Sequence, residues 1–150
     1  MENWNEIKTL DDIDQLLKEY GGFHDSCLVE IDFSTGSYVD EKKYMCFGTE
    51  KQKELRMVFH SQWAEKPLEL WFTGVRRFAI TGWQDLYGSE ILDCHLAVHT
   101  DLVDGKHVPL IVWADDENFH PKHYKEESLI EEPSVSYVIA SGLKWRFMSI

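Results

Sequence analysis

A histidine, an aspartate and a serine stand side by side at His24-Asp25-Ser26, the residue types of a hydrolase triad. A triad works because its members converge, with the base within hydrogen-bond reach of the nucleophile. Neighbours in an extended strand point to opposite sides, so contiguity favours a structural reading. In that reading Phe23 anchors a junction while His24 and Asp25 bond nearby backbone groups. His95 and His99 are spaced four apart, which on a helix would place both imidazoles on one face for a metal ion. Their surroundings alternate like a strand, where four residues span roughly 13 Å, too wide for one metal. Leu96 also stands where the helical metal motif has its glutamate. His120 and His123, close to Asp115, Asp116 and Glu117, are a denser group. Two imidazoles and the Asp116 carboxylate could make an open metal site, although Pro121 disturbs the local geometry and an exposed acidic loop has the same composition. No cofactor is expected, and His120, His123 and Asp116 stand as the alternative metal set. His60 and His107 carry no signal. Gly21-Gly22 is no phosphate cradle, because it does not lie between a strand and a helix.

Charge points to a class of partner. The 150 residues hold 27 acidic against 15 basic side chains, a formal charge of −12. A phosphate backbone is bound by neutralising it with Lys and Arg, so nucleic acid and anionic membrane surfaces are disfavoured. A basic protein is favoured, since complementary fields speed encounter; the plain alternative is that the charge only keeps the chain soluble. Exposed tryptophan flanked by carboxylates is the expected surface for a basic partner. Trp63, Trp71 and Trp83 with Asp115, Asp116 and Glu117 are the candidate contacts, while Trp113 and Trp145 suit the core. Cys27, Cys46 and Cys94 are widely spaced and odd in number, as expected of reduced, inert thiols in a cytosolic protein. The first six residues show neither a basic region nor an apolar run, so no leader is expected, and no stretch reaches the ~20 apolar residues of a membrane span.

Elements must position these side chains. One helix is predicted over about 9–20: Thr9 as N-cap, Asp11 and Asp12 in the first turn, Leu10, Ile13, Leu16, Leu17 and Tyr20 as an apolar stripe, Gly21-Gly22 as stop. Period-two alternation then predicts strands from about 26 to 148. Cys27, Val29, Ile31 and Phe33 share a face, with Ser34-Thr35-Gly36-Ser37 as a hairpin turn. Tyr38-Val39 or Tyr44–Phe47 follows, interrupted at 40–43 by a bulge or second turn. Leu55, Met57 and Phe59 point inward, as do Leu68, Leu70 and Phe72, with a break at Gly74. Trp83 and Tyr87 fall in a loop or short helix. Leu92, Cys94, Leu96 and Val98 oppose Asp93, His95, Ala97 and His99. Asp104-Gly105 marks a turn, Val108–Trp113 a central strand, and 115–133 a long acidic connection that includes Glu126, Glu127, Glu131 and Glu132. Two closing strands are divided at Ser141-Gly142. The whole predicts one α+β, mostly β domain over 1–150. It is either a single curled antiparallel sheet or a two-layer barrel or sandwich, with the N-terminal helix packed on it.

The order of short helix, glycine stop, Phe23-His24-Asp25-Ser26, a meander containing Leu70-Trp71-Phe72-Thr73-Gly74-Val75 and a closing Ser141-Gly142-Leu143-Lys144-Trp145 resembles a group of small uncharacterised bacterial proteins. Some of these resemble predicted immunity proteins of polymorphic toxin systems. The resemblance implies a non-enzymatic protein that occludes a cognate toxin, with the Phe-His-Asp-Ser segment as a fold marker. Two other readings stay open: a metal-dependent hydrolase using His24, His120, His123 and Asp116, and a small-molecule-binding barrel lined by aromatics.

Overall fold

The computed structural model describes residues 3–81, 88–125 and 134–149. The N-terminal helix α1 (Leu10–Glu19) starts as its sequence dictates: the Thr9 hydroxyl accepts from the Asp12 N–H at 3.2 Å, and the Asp12 carboxylate accepts from the Thr9 N–H at 2.9 Å. Ile13, Leu16 and Tyr20 are buried, whereas Leu10 is 71% exposed, so the apolar stripe begins one turn later than expected. The chain leaves the helix through Gly21 and Gly22, both at left-handed φ (57° and 65°), which costs glycine nothing sterically.

Strands β1 (Asn5–Glu6), β2 (Ser26–Ser34), β5 (Glu54–Ser61), β6 (Leu68–Ala79), β7 (His95–His99), β8 (Leu110–Ala114) and β9 (Tyr137–Phe147) form one antiparallel sheet in the order β2-β5-β6-β9-β8-β7. β1 pairs with β9 at Trp145 and Lys144, beyond the stretch that β8 occupies. The remaining strands, β3 (Tyr38–Val39) and β4 (Met45–Cys46), make a separate two-stranded ribbon. The sheet is open and coiled, not a barrel or sandwich. Its curl brings Phe33 of β2 to Phe78 at the far end of β6, ring centroids 4.7 Å apart, and a lone bridge joins Ser26 to Ile91.

The concave face holds the main core. Leu55, Met57, Phe59, Leu68, Leu70 and Phe72 alternate inward, and Trp113, Val138, Leu143 and Trp145 meet them from the other half under α1. Burying such side chains at about 25 cal/mol per Å² is the dominant stabilising term. The convex face is polar in an ordered way. Glu69 is 1% exposed and holds Arg56 on one side and Arg146 (2.7 Å) on the other. Trp4 lies over Arg146 at 4.1 Å and over Lys144 at 4.8 Å. Near β7–β9 a smaller cluster of Val112, Ala114, Phe119 and Tyr137 covers that same face.

Several local expectations are corrected. A bulge between Leu28 and Glu30 inserts one residue into β2, so the pleat changes phase. Leu28, Ile31 and Phe33 then oppose Phe59, Met57 and Leu55, and Cys27 no longer shares a face with Ile31. Ser34–Ser37 does not turn one strand back on the next, because β2 pairs with β5; the turn lies at 40–43, between β3 and β4. Gly74 (φ 61°) bends β6 without ending it, and β9 runs unbroken through Ser141-Gly142, where Gly142 pairs with Thr73. Leu92 precedes β7 and is exposed.

Candidate functional site

The junction after α1 is strained. Phe23 and Asp25 take φ of 68° and 56°, a region that bulky residues rarely enter. The compensation is visible: Phe23 is fully buried, edge-on to Tyr20 at 5.0 Å and to Phe59 at 5.2 Å. Phe23 is thus packed into the core from the junction. His24 Nδ1 donates to the Leu92 carbonyl at 2.6 Å, and its Nε2 lies 3.4 Å from the Asp25 carboxylate. The Leu92 bond first, and Asp25 second, hold the His24 pKa above its ordinary value. The Ser26 hydroxyl is buried and donates to the Phe23 carbonyl at 2.5 Å, so it is committed to the turn. Trp63 completes the group: its indole N–H donates to the His24 carbonyl at 3.1 Å while its ring leans on Tyr20. About half of Trp63 is exposed.

Leu92, the residue His24 grips, forms one wall of a cleft of about 460 Å³. This cleft opens where the coil brings Leu28 of β2 towards Ile80 and Thr81 beyond β6 and towards Trp113 of β8. Its lining includes Glu90, Asp93, Asp115, Asp116 and Glu117, and no lysine, arginine or histidine among the described residues. Asp115 follows directly on β8. Its carboxylate accepts from the Ser136 N–H at 2.9 Å, and its own N–H donates to the Ser136 carbonyl at 3.0 Å, so the start of the acidic loop is tied to the start of β9. Burial, helped by the neighbouring Asp116 charge, pushes the Asp115 pKa up to about 6 against the pull of the Ser136 bond. Asp116 caps its own turn, accepting from the Asn118 N–H at 2.9 Å. Chemically, the cleft is lined by carboxylate acceptors, with the proton affinity of Asp115 raised, and suits guanidinium and ammonium donors.

The structure thus gathers Asp115, Asp116 and Glu117 in the cleft; His24 reaches its wall through the Leu92 carbonyl, with Asp25 beside His24 and Trp63 bonded to the His24 carbonyl. Trp71 is elsewhere. It sits on the convex face of β6, edge-on to Trp4 at 5.7 Å with Lys144 above it at 5.2 Å. Trp83 and residues 126–133 lie outside the described residues. Glu90 and Asp93 join Asp115, Asp116 and Glu117 in the cleft, although nothing in their sequence spacing links them to 115–117.

The histidines correct a distance argument. His95 and His99 do share a face of β7, but their Nε2 atoms are 2.9 Å apart. The span of roughly 13 Å holds for backbone positions; the rings lean towards each other over the small Ala97. His120 meets His99 edge-on at 5.5 Å, and His123 follows at 4.7 Å, making a row of four imidazoles. Asp116 instead faces the cleft, and no three His, Cys, Asp or Glu side chains among the described residues are arranged to hold a metal ion. His120 Nδ1 accepts the Lys122 N–H at 3.2 Å, which puts the proton of the neutral ring on Nε2.

Burial pushes the Cys94 thiol up to about 12, with Asp93 adding to it, and all three cysteines are free and partly buried. No helix among the described residues is long and apolar enough to cross a membrane. Searched against protein-family models, curated proteins and solved structures, the chain finds no match.

Proposed function

We propose that this chain is a non-enzymatic binding protein whose acidic cleft receives Lys or Arg side chains of a basic protein partner, in the manner of an immunity protein that occludes a toxin domain. The observation that carries the reading is the lining of the cleft: five carboxylates drawn from two separate segments, 90–93 and 115–117, with no cation among the described lining residues. Half-exposed Trp63, bonded to the carbonyl of the His24 that grips Leu92, supplies an aromatic anchor, the kind of residue that dominates interface energetics. The negative remainder of the molecule steers the partner in.

The test uses the partner recovered by affinity capture from the native host, with association followed by a surface-binding assay. Raising salt from about 50 to about 300 mM is expected to slow association roughly tenfold or more. Asp116→Asn with Glu117→Gln should slow it further at low salt and flatten the salt dependence. A partner that binds at the same rate in both proteins and at both salt levels would remove the cleft from the interface.

A further inference from the structure

The ribbon β3–β4 stands apart from the sheet. Tyr38 opposes Cys46 and Val39 opposes Met45, so alternation places apolar side chains on both faces. Neither face is covered: Tyr38, Val39, Tyr44, Met45 and Phe47 are 56–77% exposed. The tip is nonetheless well built. The Asp40 carboxylate accepts from the N–H groups of Lys42 and Tyr44, each at 2.9 Å, and Lys43 takes the left-handed φ of 71° that closes the turn. A two-stranded ribbon of this size has little stability of its own in water. At side-chain areas of ~150–250 Å² for aromatics, the five exposed residues divide between the two faces at roughly 300 Å² each. One such face is on the scale of the largest apolar patch of a typical monomer and smaller than the ~800 Å² that one partner contributes to a standard interface, the size of a concentration-dependent contact.

Charge selects the occupant. Residues 30–56 with Arg76 and Arg77 hold six carboxylates and seven basic side chains, so the rest of the chain carries a net −13. Two copies of so acidic a molecule repel at every other face, and this near-neutral end is where they can meet. A basic partner, by contrast, is drawn away from it towards the carboxylates. We infer that the β3–β4 ribbon is the contact through which this chain pairs with a second copy of itself, two-fold ribbon against ribbon, leaving both acidic clefts free. A two-fold contact needs only one self-complementary patch, and the free edges of β3 and β4 can pair across the axis.

Sedimentation analysis of the full chain from about 1 to about 200 µM tests this, because dimerisation follows mass action. Twice the chain mass is expected within that range, with no weakening as salt rises from about 50 to about 500 mM. Tyr44→Asp with Phe47→Asp should raise the dimer dissociation constant at least a hundredfold, hot-spot aromatics commonly counting for that much. A monomer throughout the range, or a dimer indifferent to the double substitution, overturns the proposal; so does a monomer whose ribbon is needed only for a foreign partner. Should the substituted protein fail to melt cooperatively, amine cross-linking of mixed isotope-labelled and unlabelled wild-type chains decides. Interchain links at Lys42 or Lys43 support the contact, and dimers linked only elsewhere refute it.

Discussion

Replacing Asp115 by asparagine should stabilise the protein at neutral pH and leave it nearly unchanged in acid. The carboxylate is half-buried, next to Asp116, and accepts from the Ser136 N–H. Folding raises its pKa from 3.8 to about 6. The folded state therefore binds the proton more tightly, and the associated stability is fully present below about pH 4 and lost as pH rises through about 6. A difference of about two pH units is worth about 3 kcal/mol at most. Asparagine keeps an oxygen for Ser136 but loses the charge-assisted part of that bond, on the order of 1 kcal/mol. A net gain of about 1–2 kcal/mol at pH 7.5 follows, or roughly 3–6 °C in melting temperature for a domain of this length. Urea unfolding of both proteins at pH 7.5 and pH 4 measures it. A variant that is less stable at both pH values, or equally stabilised at both, would refute the claim that a buried charge is held under stress at the head of the cleft. The same substitution removes one acceptor from the cleft, so a gain in stability accompanied by slower partner association would mark Asp115 as a group kept charged for binding at the expense of the fold.

Other outcomes follow from the same geometry. Glu69→Ala takes from Arg56 and Arg146 the buried carboxylate they share, leaving Arg56 with Glu30 and Arg146 with Trp4, and should cost about 3 kcal/mol, read by urea unfolding; Glu69→Gln, which keeps the acceptor oxygen, should cost less. Burial first, and the neighbouring imidazole charges second, hold His95 and His99 below their ordinary pKa. Stability from these groups is present above about pH 6.5 and falls as pH drops below it, so His99→Gln should flatten the loss of stability between pH 7 and pH 5; an unchanged slope would show that the row does not titrate with folding. Cys94 should react with a thiol reagent at pH 8 far more slowly than a free cysteine until the protein is denatured; rapid labelling in the native state would contradict its burial.

Where sequence and structure agree, a single local rule suffices. Thr9 and Asp12 cap the helix with no help from elsewhere, and the alternation of Leu55–Phe59 and Leu68–Phe72 survives because those strands lie at the sheet's centre with one face buried. β8 reads as continuously apolar because both faces are covered, by the main core and by Phe119 and Tyr137. The disagreements arise where one residue changes phase or where distant segments meet. The bulge at 28–30 leaves no composition mark, and Gly74 and Gly142 look like breaks because a bend and a close approach both call for glycine. Tyr38-Val39 and Tyr44–Phe47 read as alternatives for one strand, since nothing local tells a separate apolar ribbon from a strand of the main sheet. For the cleft, Asp115–Glu117 stood out by density of charge, but Glu90 and Asp93 join them only through the coil of the sheet. Backbone spacing sets the imidazole pair of β7 too far apart, because it ignores the reach and lean of the rings.

β9 is the seam of the molecule. β2, β5 and β6 are joined without it, and so are β7 and β8, but among the described residues the two groups of strands are paired through residues 137–147, beside the single bridge from Ser26 to Ile91. On the ribosome, then, the first meander waits with its β6 edge bare, and among the described strands β8 has β7 alone beside it, until that segment has been synthesised. Assembly is a late, long-range event, slow by the measure of sequence separation. A chain stalled before residue 137 would present nascent-chain chaperones with an unpaired, strongly apolar strand edge.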